Sequence, residues 1–343
     1  SLLIILHIHL STYFYSSTSK IMLFKKSAGA LRSVSRGHTQ QKSIDRSSQM
    51  GSVCEWIGSQ GREELLNTVT HNGRLSSDPN NLLLANIIRI YNDTPLVHSR
   101  IRSFSDSSSF PTYVIIVEEN DFRKPKLWVR SPKEHNISVL SSLIEEIIMT
   151  SPTVSIHNSF EIDCDHRVRR VFGEMFGKVD MDDACRTFYM TDKQCQLLMN
   201  TNFPVPRGYY LSELNREEEY AQVSREWKVP DDVRLLRDRL RTLPTVALRT
   251  EEGELATYIS THNMGALSHL YTRPEHRGKG LAKIVEMTLA QKFIKRGLRP
   301  FMHVLIGNDQ KFRQTFRNPF YTEWIDDQGS QMIWYFSSIP MKP

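Results

Sequence analysis

The chain has 343 residues, 39% of them hydrophobic, which is more than one compact domain needs and enough for the cores of two. Its net charge of +6 sits wholly in the first 49 residues, where Lys20, Lys25, Lys26, Arg32, Arg36, Lys42 and Arg46 face Asp45 alone; the 37 basic and 37 acidic residues that remain cancel, which argues against a nucleic-acid-binding body. Four cysteines, Cys54, Cys164, Cys185 and Cys195, form no CxxC pair, are too sparse for a disulfide framework, and leave Cys164 and His166 without a second half at zinc spacing, so they read as thiols in a reducing compartment.

Residues 1–50 read as a leader, disordered or targeting. Ser1 to Tyr15 is apolar but shorter than the roughly 20 residues of a membrane-spanning helix, so no stable membrane insertion is expected. From Met22 the segment MLFKKSAGALRSVSRGHTQQKS is basic, serine-rich and free of acid, the composition of a mitochondrial presequence; a disordered basic tail on a cytoplasmic protein is the alternative.

Residues 51–203 read as a first globular unit. Asp78 and Pro79 cap an amphipathic helix over LLLANIIRIY, with Leu83, Ile87 and Ile90 on one face. A serine-rich turn precedes the β-branched run TYVIIV after Pro111, and Leu127 to Arg130 is a second strand. A helix over Ile137 to Met149 leads to TVSIH, and helix and strand patterns continue to Met199, an α/β layer with no catalytic constellation. Asn202 to Arg207, with two prolines, reads as the linker to a second unit at 207–343.

That unit opens with a charged helix from Ser212 containing Trp227 and another over Asp231 to Arg241. A strand over Thr245 to Leu248 turns at Glu251-Glu252-Gly253 into Ala256 to Ser260. Ala266 to Thr272 then alternates like a strand, Arg273 to Gly280 is a basic loop with two glycines, and Leu281, Val285, Leu289 and Phe293 recur at helical spacing up to Gly297. Strand, glycine loop and helix make a diphosphate seat, because glycines let the phosphates reach free N–H groups at the positive end of the helix. Arg277 and Lys279 add charge there. Neither GxxxxGK[ST] nor a three-glycine dinucleotide fingerprint is present.

EHRGKG, from Glu275 to Gly280, resembles the coenzyme A signature [Q/R]xxGx[G/A] of the GNAT superfamily, with Glu275 in place of Gln or Arg. Leu211 to Trp227, Leu243-Pro244-Thr245, LYTRPEHR from Leu270, and Met302-His303-Val304 with Asn308 resemble the glycine N-acyltransferase-like family over about residues 207 to 325, and vaguely over 55 to 200. The resemblance implies an α/β, mixed-sheet GNAT fold in two tandem domains, a degenerate one at 51–203 and an acyl-CoA-binding one at 207–343, in a family whose members are often mitochondrial.

It further implies an acyl-CoA co-substrate and no metal, with a small amine such as glycine as acceptor and a monomeric chain. The strand up to Leu270, Tyr271 and Thr272 would bind the pantetheine arm, and Arg277, Gly278, Lys279, Gly280, Leu281 and Ala282 the diphosphate. Met302 to Ile306 would be the strand diverging from it, with Asn308 opening the next helix. The family's glutamate base falls at Ala266 and its tyrosine acid at Thr315, so His269 and His303 become the candidate catalytic groups, with Tyr271 and Tyr321 as further acids. Three readings stand: transfer to a small amino acid, transfer to a protein or polyamine, and a catalytically weak acyl-CoA-binding protein. An acidic groove would favour a cationic acceptor and a basic one a carboxylate.

Overall fold

The apolar runs become strands of two sheets in the computed structural model, which describes residues 53–69, 79–94, 96–106, 113–120, 123–130, 137–157, 159–177, 179, 181–214, 217–226, 233–326 and 329–340. The leader, Asp78, Trp227 and Asp231 lie outside the described residues. In chain order the first elements are β1 (Val53–Trp56), α1 (Gly58–Val69), α2 (Pro79–Asp93), β2 (Ser99–Asp106), β3 (Val114–Asn120) and β4 (Lys126–Arg130). Next come α3 (Ile137–Thr150), α4 (Pro152–His157), β5 (Ser159–Asp165), α5 (His166–Phe176), β6 (Met181–Tyr189) and α6 (Asp192–Met199). Beyond the expected linker follow β7 (Tyr209–Ser212), α7 (Glu217–Glu226), α8 (Val233–Thr242), β8 (Val246–Thr250), β9 (Leu255–Thr261) and β10 (Leu267–Thr272). A 3₁₀ turn at Pro274–His276 precedes α9 (Leu281–Lys295), β11 (Phe301–Leu305), α10 (Asp309–Phe316), β12 (Thr322–Glu323) and β13 (Ile333–Pro340).

A nine-stranded sheet runs β1-β2-β3-β4-β5-β13-β6-β11, with β12 also on β6, and a four-stranded one runs β10-β9-β8-β7. The larger sheet is mixed, since β4 and β5 run parallel while the other pairs are antiparallel. Strands from both sides of residues 203–207 build it: the last strand, β13, enters between β5 and β6, and β11 pairs with β6.

Three clusters of buried side chains follow from the sequence periods. Phe160, Ile162 and Cys164 of β5 join Leu140, Ile144 and Ile147 of α3 and Val168 and Phe172 of α5. Alternate residues of β5 project to opposite faces. Its other face therefore carries Glu161, Asp163 and Asp165. The largest cluster holds α9, whose Leu281, Val285, Leu289 and Phe293 are each at most 1% exposed and stabilise the fold by about 1.5–3 kcal/mol apiece. The third joins α7 and α8 through Tyr220, Val223, Leu236 and Leu240.

TVSIH, to which the sequence pattern assigns no element, lies in helix α4. One expectation is corrected. Helix α2 is buried around most of its circumference, with Leu82, Leu84, Ala85 and Ile88 as enclosed as Leu83, Ile87 and Ile90. The reason is a second layer of chain: Asn86 donates to the carbonyls of Gly265 and Arg299 at 3.2 and 2.7 Å and accepts from the Arg299 N–H at 2.8 Å. Gly265 has φ 80°, and a Cβ there would stand 2.8 Å from that of Asn86, so only glycine fits.

Candidate functional site

β10 ends one sheet and β11 ends the other, so the two strands flank a gap that no ladder closes. A cavity of about 1290 Å³ opens there, walled by β10, the glycine loop, the start of α9, β11 and α10. An edge strand with unpaired N–H and C=O groups can take up the amides of an extended ligand.

β10 is not the regular strand its alternation suggests. Leu267 and Ser268 pair with Thr261 and Ser260, but Tyr271 and Thr272 pair with Tyr258 and Thr257, so β10 carries one extra residue. That bulge holds His269 at φ 54°, in the left-handed region, at a cost of roughly 1–2 kcal/mol. The His269 ring is buried, lines the cavity, and has Nδ1 3.0 Å from the Ser260 hydroxyl.

Gly278 and Gly280 have φ 76° and 75°, and Gly280 is the left-handed residue from which α9 starts. A side chain at either would meet no protein atom within 4 Å, so the space they leave belongs to the cavity. Arg277 donates from Nε to the Thr272 carbonyl at 2.9 Å and packs over Tyr271. Leu270, Tyr271, Thr272, Arg277, Gly278, Gly280, Leu281, Ala282 and Asn308 all line the cavity. Lys279 is absent from that wall: its ammonium donates to the Tyr209 hydroxyl at 2.8 Å, itself 3.0 Å from His276 Nδ1. Asn308 caps α10, accepting from the Lys311 N–H at 3.2 Å.

On the opposite wall, His303 Nδ1 is 2.8 Å from the Thr187 hydroxyl and its ring stacks on Trp334 and meets Phe336 edge-on. Nε2 has no hydrogen-bond partner, and burial pushes the imidazole down to about 3, so it is neutral. Ala266 and Thr315 also line the cavity, with Thr315 donating to the Met302 sulfur at 3.8 Å. Tyr271 faces it; Tyr321 does not, and burial together with the Glu286 carboxylate pushes its hydroxyl well up. Cys185 lines it too, but burial pushes its thiol up to about 12, which makes it a poor nucleophile.

The sequence did not single out Glu226, His262, Asp163, Asp183 or Phe336, yet all five line the same cavity. Glu226 accepts from the Tyr258 hydroxyl at 2.9 Å. Burial, followed by Arg239, pushes His262 well below its ordinary value. Burial pushes the Asp163 carboxyl up to about 6 against the pull of Lys126. Only SFEIDCD carried a signal, an alternation of apolar and acidic residues over β5. Among the described residues no helix is long and apolar enough to cross a membrane.

Residues 246–314 match the family described as FR47-like protein. A Drosophila protein of known structure superposes with a TM-score of 0.64 at 16% identity, covering 84% of this chain and 99% of its own. A tandem GNAT protein from the clavulanic acid biosynthesis pathway does so with a TM-score of 0.52 at 11% identity, covering 85% of this chain and 99% of its own. The fold is therefore the mixed-sheet α/β fold of tandem GNAT proteins, and the FR47-like match lies on the half of the chain that holds the glycine loop.

Proposed function

We propose that the chain is an acyl-CoA-dependent N-acyltransferase that moves an acyl group from the coenzyme A thioester to a small amine. The observation that carries this reading is the convergence on one cavity of the bulged edge strand β10, the open glycine loop at the start of α9 and the diverging strand β11. The β10 edge suits the pantetheine amides, and the N–H groups around Gly278 to Ala282 suit the diphosphate. Arg277 and Lys283 add positive charge on that side.

In this reading the amine nitrogen attacks the thioester carbonyl, a C–N bond forms, the C–S bond breaks and the coenzyme leaves as a thiolate that takes up a proton. The acceptor arrives as an ammonium ion and must first lose a proton. His269 is the proposed base. His303, neutral and with an unpartnered Nε2, suits a hydrogen bond to the developing oxyanion or the departing sulfur, and not proton abstraction. Transfer is direct, because the Cys185 thiol is held protonated.

The test is thiol release from acyl-CoAs, acetyl to benzoyl, with glycine, other amino acids and polyamines as acceptors. Amine-dependent release supports the transferase. If the thioesters raise the melting temperature but no amine consumes them, the chain is an acyl-CoA-binding protein instead.

A further inference from the structure

The floor of the cavity differs in charge from its glycine-loop wall. In the strand register Asp163 of β5 stands opposite Phe336 of β13, which stands opposite Asp183 of β6. Directly opposed residues share a face, so the three side chains form one row, and all three line the cavity. Asp163 is fully buried: Oδ2 accepts from Trp128 Nε1 at 2.8 Å, while Oδ1 has no hydrogen-bond partner and lies 3.6 Å from the Lys126 ammonium. Lys126 also meets Glu161 at 3.2 Å, so one positive charge is shared by two carboxylates. Arg123 is engaged by Glu118 at 2.8 Å. Among the described residues Asp183 has no ion-pair partner. The row is thus an aromatic ring between two carboxylates, with Lys126 Nζ 6.0 Å from the ring centroid; Glu161, Asp163 and Asp183 outnumber that one ammonium, whereas Arg277, Lys283, Lys311 and Arg317 line the cavity elsewhere.

We infer that the acceptor is a linear polyamine, whose distal ammonium rests on Phe336 and Asp183, with the buried Asp163 carboxylate behind them, while its reacting amine meets the thioester between β10 and β11. This rests on the transferase reading and sharpens it. Two carboxylates about an aromatic face are the chemistry of ammonium recognition, and the same floor repels the carboxylate of glycine or any amino acid. Length follows from the register. Thr187, the partner of His303, lies four residues beyond Asp183 on β6, a rise of roughly 13 Å, so triamines and tetramines fit better than butane-1,4-diamine. The reacting amine's lone pair forms the C–N bond as the C–S bond breaks, its proton passes to the base and coenzyme A leaves as the thiol.

The experiment measures thiol release by the full chain from acetyl-CoA with spermidine, butane-1,4-diamine, n-butylamine and glycine. Spermidine should exceed n-butylamine and glycine in kcat/KM by roughly tenfold or more, and Asp183→Asn should cut the spermidine-to-butylamine ratio by about tenfold, mainly through KM for spermidine. Phe336→Leu should move the ratio the same way. A preference for glycine, or a ratio unmoved by Asp183→Asn, overturns the inference. If no amine releases thiol, the transferase reading falls, and the floor is judged by calorimetric titration with spermidine. Binding that weakens in Asp183→Asn then upholds the ammonium site, and absent or equal binding overturns it.

Discussion

His303 Nδ1 lies 2.8 Å from the Thr187 hydroxyl, across the β6–β11 register that joins a strand from before residue 203 to one from after it. This wall of the cavity is therefore built jointly by both halves of the chain. The imidazole is fixed at Nδ1 and enclosed by Phe301, Trp334 and Phe336, and its Nε2 has no hydrogen-bond partner.

This enclosure has a pH signature. Burial holds the native His303 imidazole at about 3, whereas the unfolded chain protonates it near the ordinary 6.5. Between those values the unfolded state binds the extra proton, so stability falls as the pH drops below 6.5 and is unaffected above it. Thermal denaturation should show His303→Gln gaining on the native chain by up to about 2 kcal/mol between pH 7.5 and pH 5. A difference that does not change with pH would mean that the ring is open to water.

His269→Gln should lower turnover by roughly 10²-fold at neutral pH while leaving acyl-CoA affinity intact. His269→Gly should lose turnover equally, yet melt higher than His269→Ala, because glycine adopts φ 54° without strain. Unchanged turnover in both would remove the proposed base.

Gly278→Ala and Gly280→Ala each force a side chain into a left-handed backbone, a cost of roughly 1–2 kcal/mol. The new methyl meets no protein atom, so any larger effect is on the ligand. Acyl-CoA affinity, measured by calorimetry, should fall about tenfold or more as the methyl holds the diphosphate off the N–H groups. Undiminished affinity would place the diphosphate elsewhere.

Because the Cys185 thiol is pushed up to about 12, no acyl group should rest on it. Mass spectrometry of protein quenched during turnover of acetyl-CoA should show an unmodified chain. An acetyl adduct at Cys185 would replace direct transfer by a two-step route.

Residues 1–50 fused to a fluorescent protein should deliver it to mitochondria if their basic, acid-poor composition is a presequence, and replacing Lys25, Lys26, Arg32 and Arg36 by glutamine should abolish delivery. A diffuse cytoplasmic signal from the unaltered fusion would leave the segment as a basic tail.

The parts of this protein that local chemistry dictates were legible in the sequence. The strand, glycine loop and helix from Leu267 to Lys295 could be read because periodicity, two glycines and a stop at Gly297 all lie within one stretch of chain. The strands β3 and β4 and the helix α3 were read from β-branched runs and helical spacing in the same way. Tertiary structure decided what depends on distant neighbours. The bulge at His269 exists only in the pairing of β10 with β9, so alternation alone predicted a regular strand. The enclosure of α2 depends on Asn86 meeting carbonyls 179 and 213 residues away. The acidic face of β5 reads locally as a solvent face, and only the insertion of β13 between β5 and β6 sets Phe336 between Asp163 and Asp183 and turns that face into a cavity floor. Register between strands that are far apart in sequence is fixed by which buried faces fit together, and no local period encodes it.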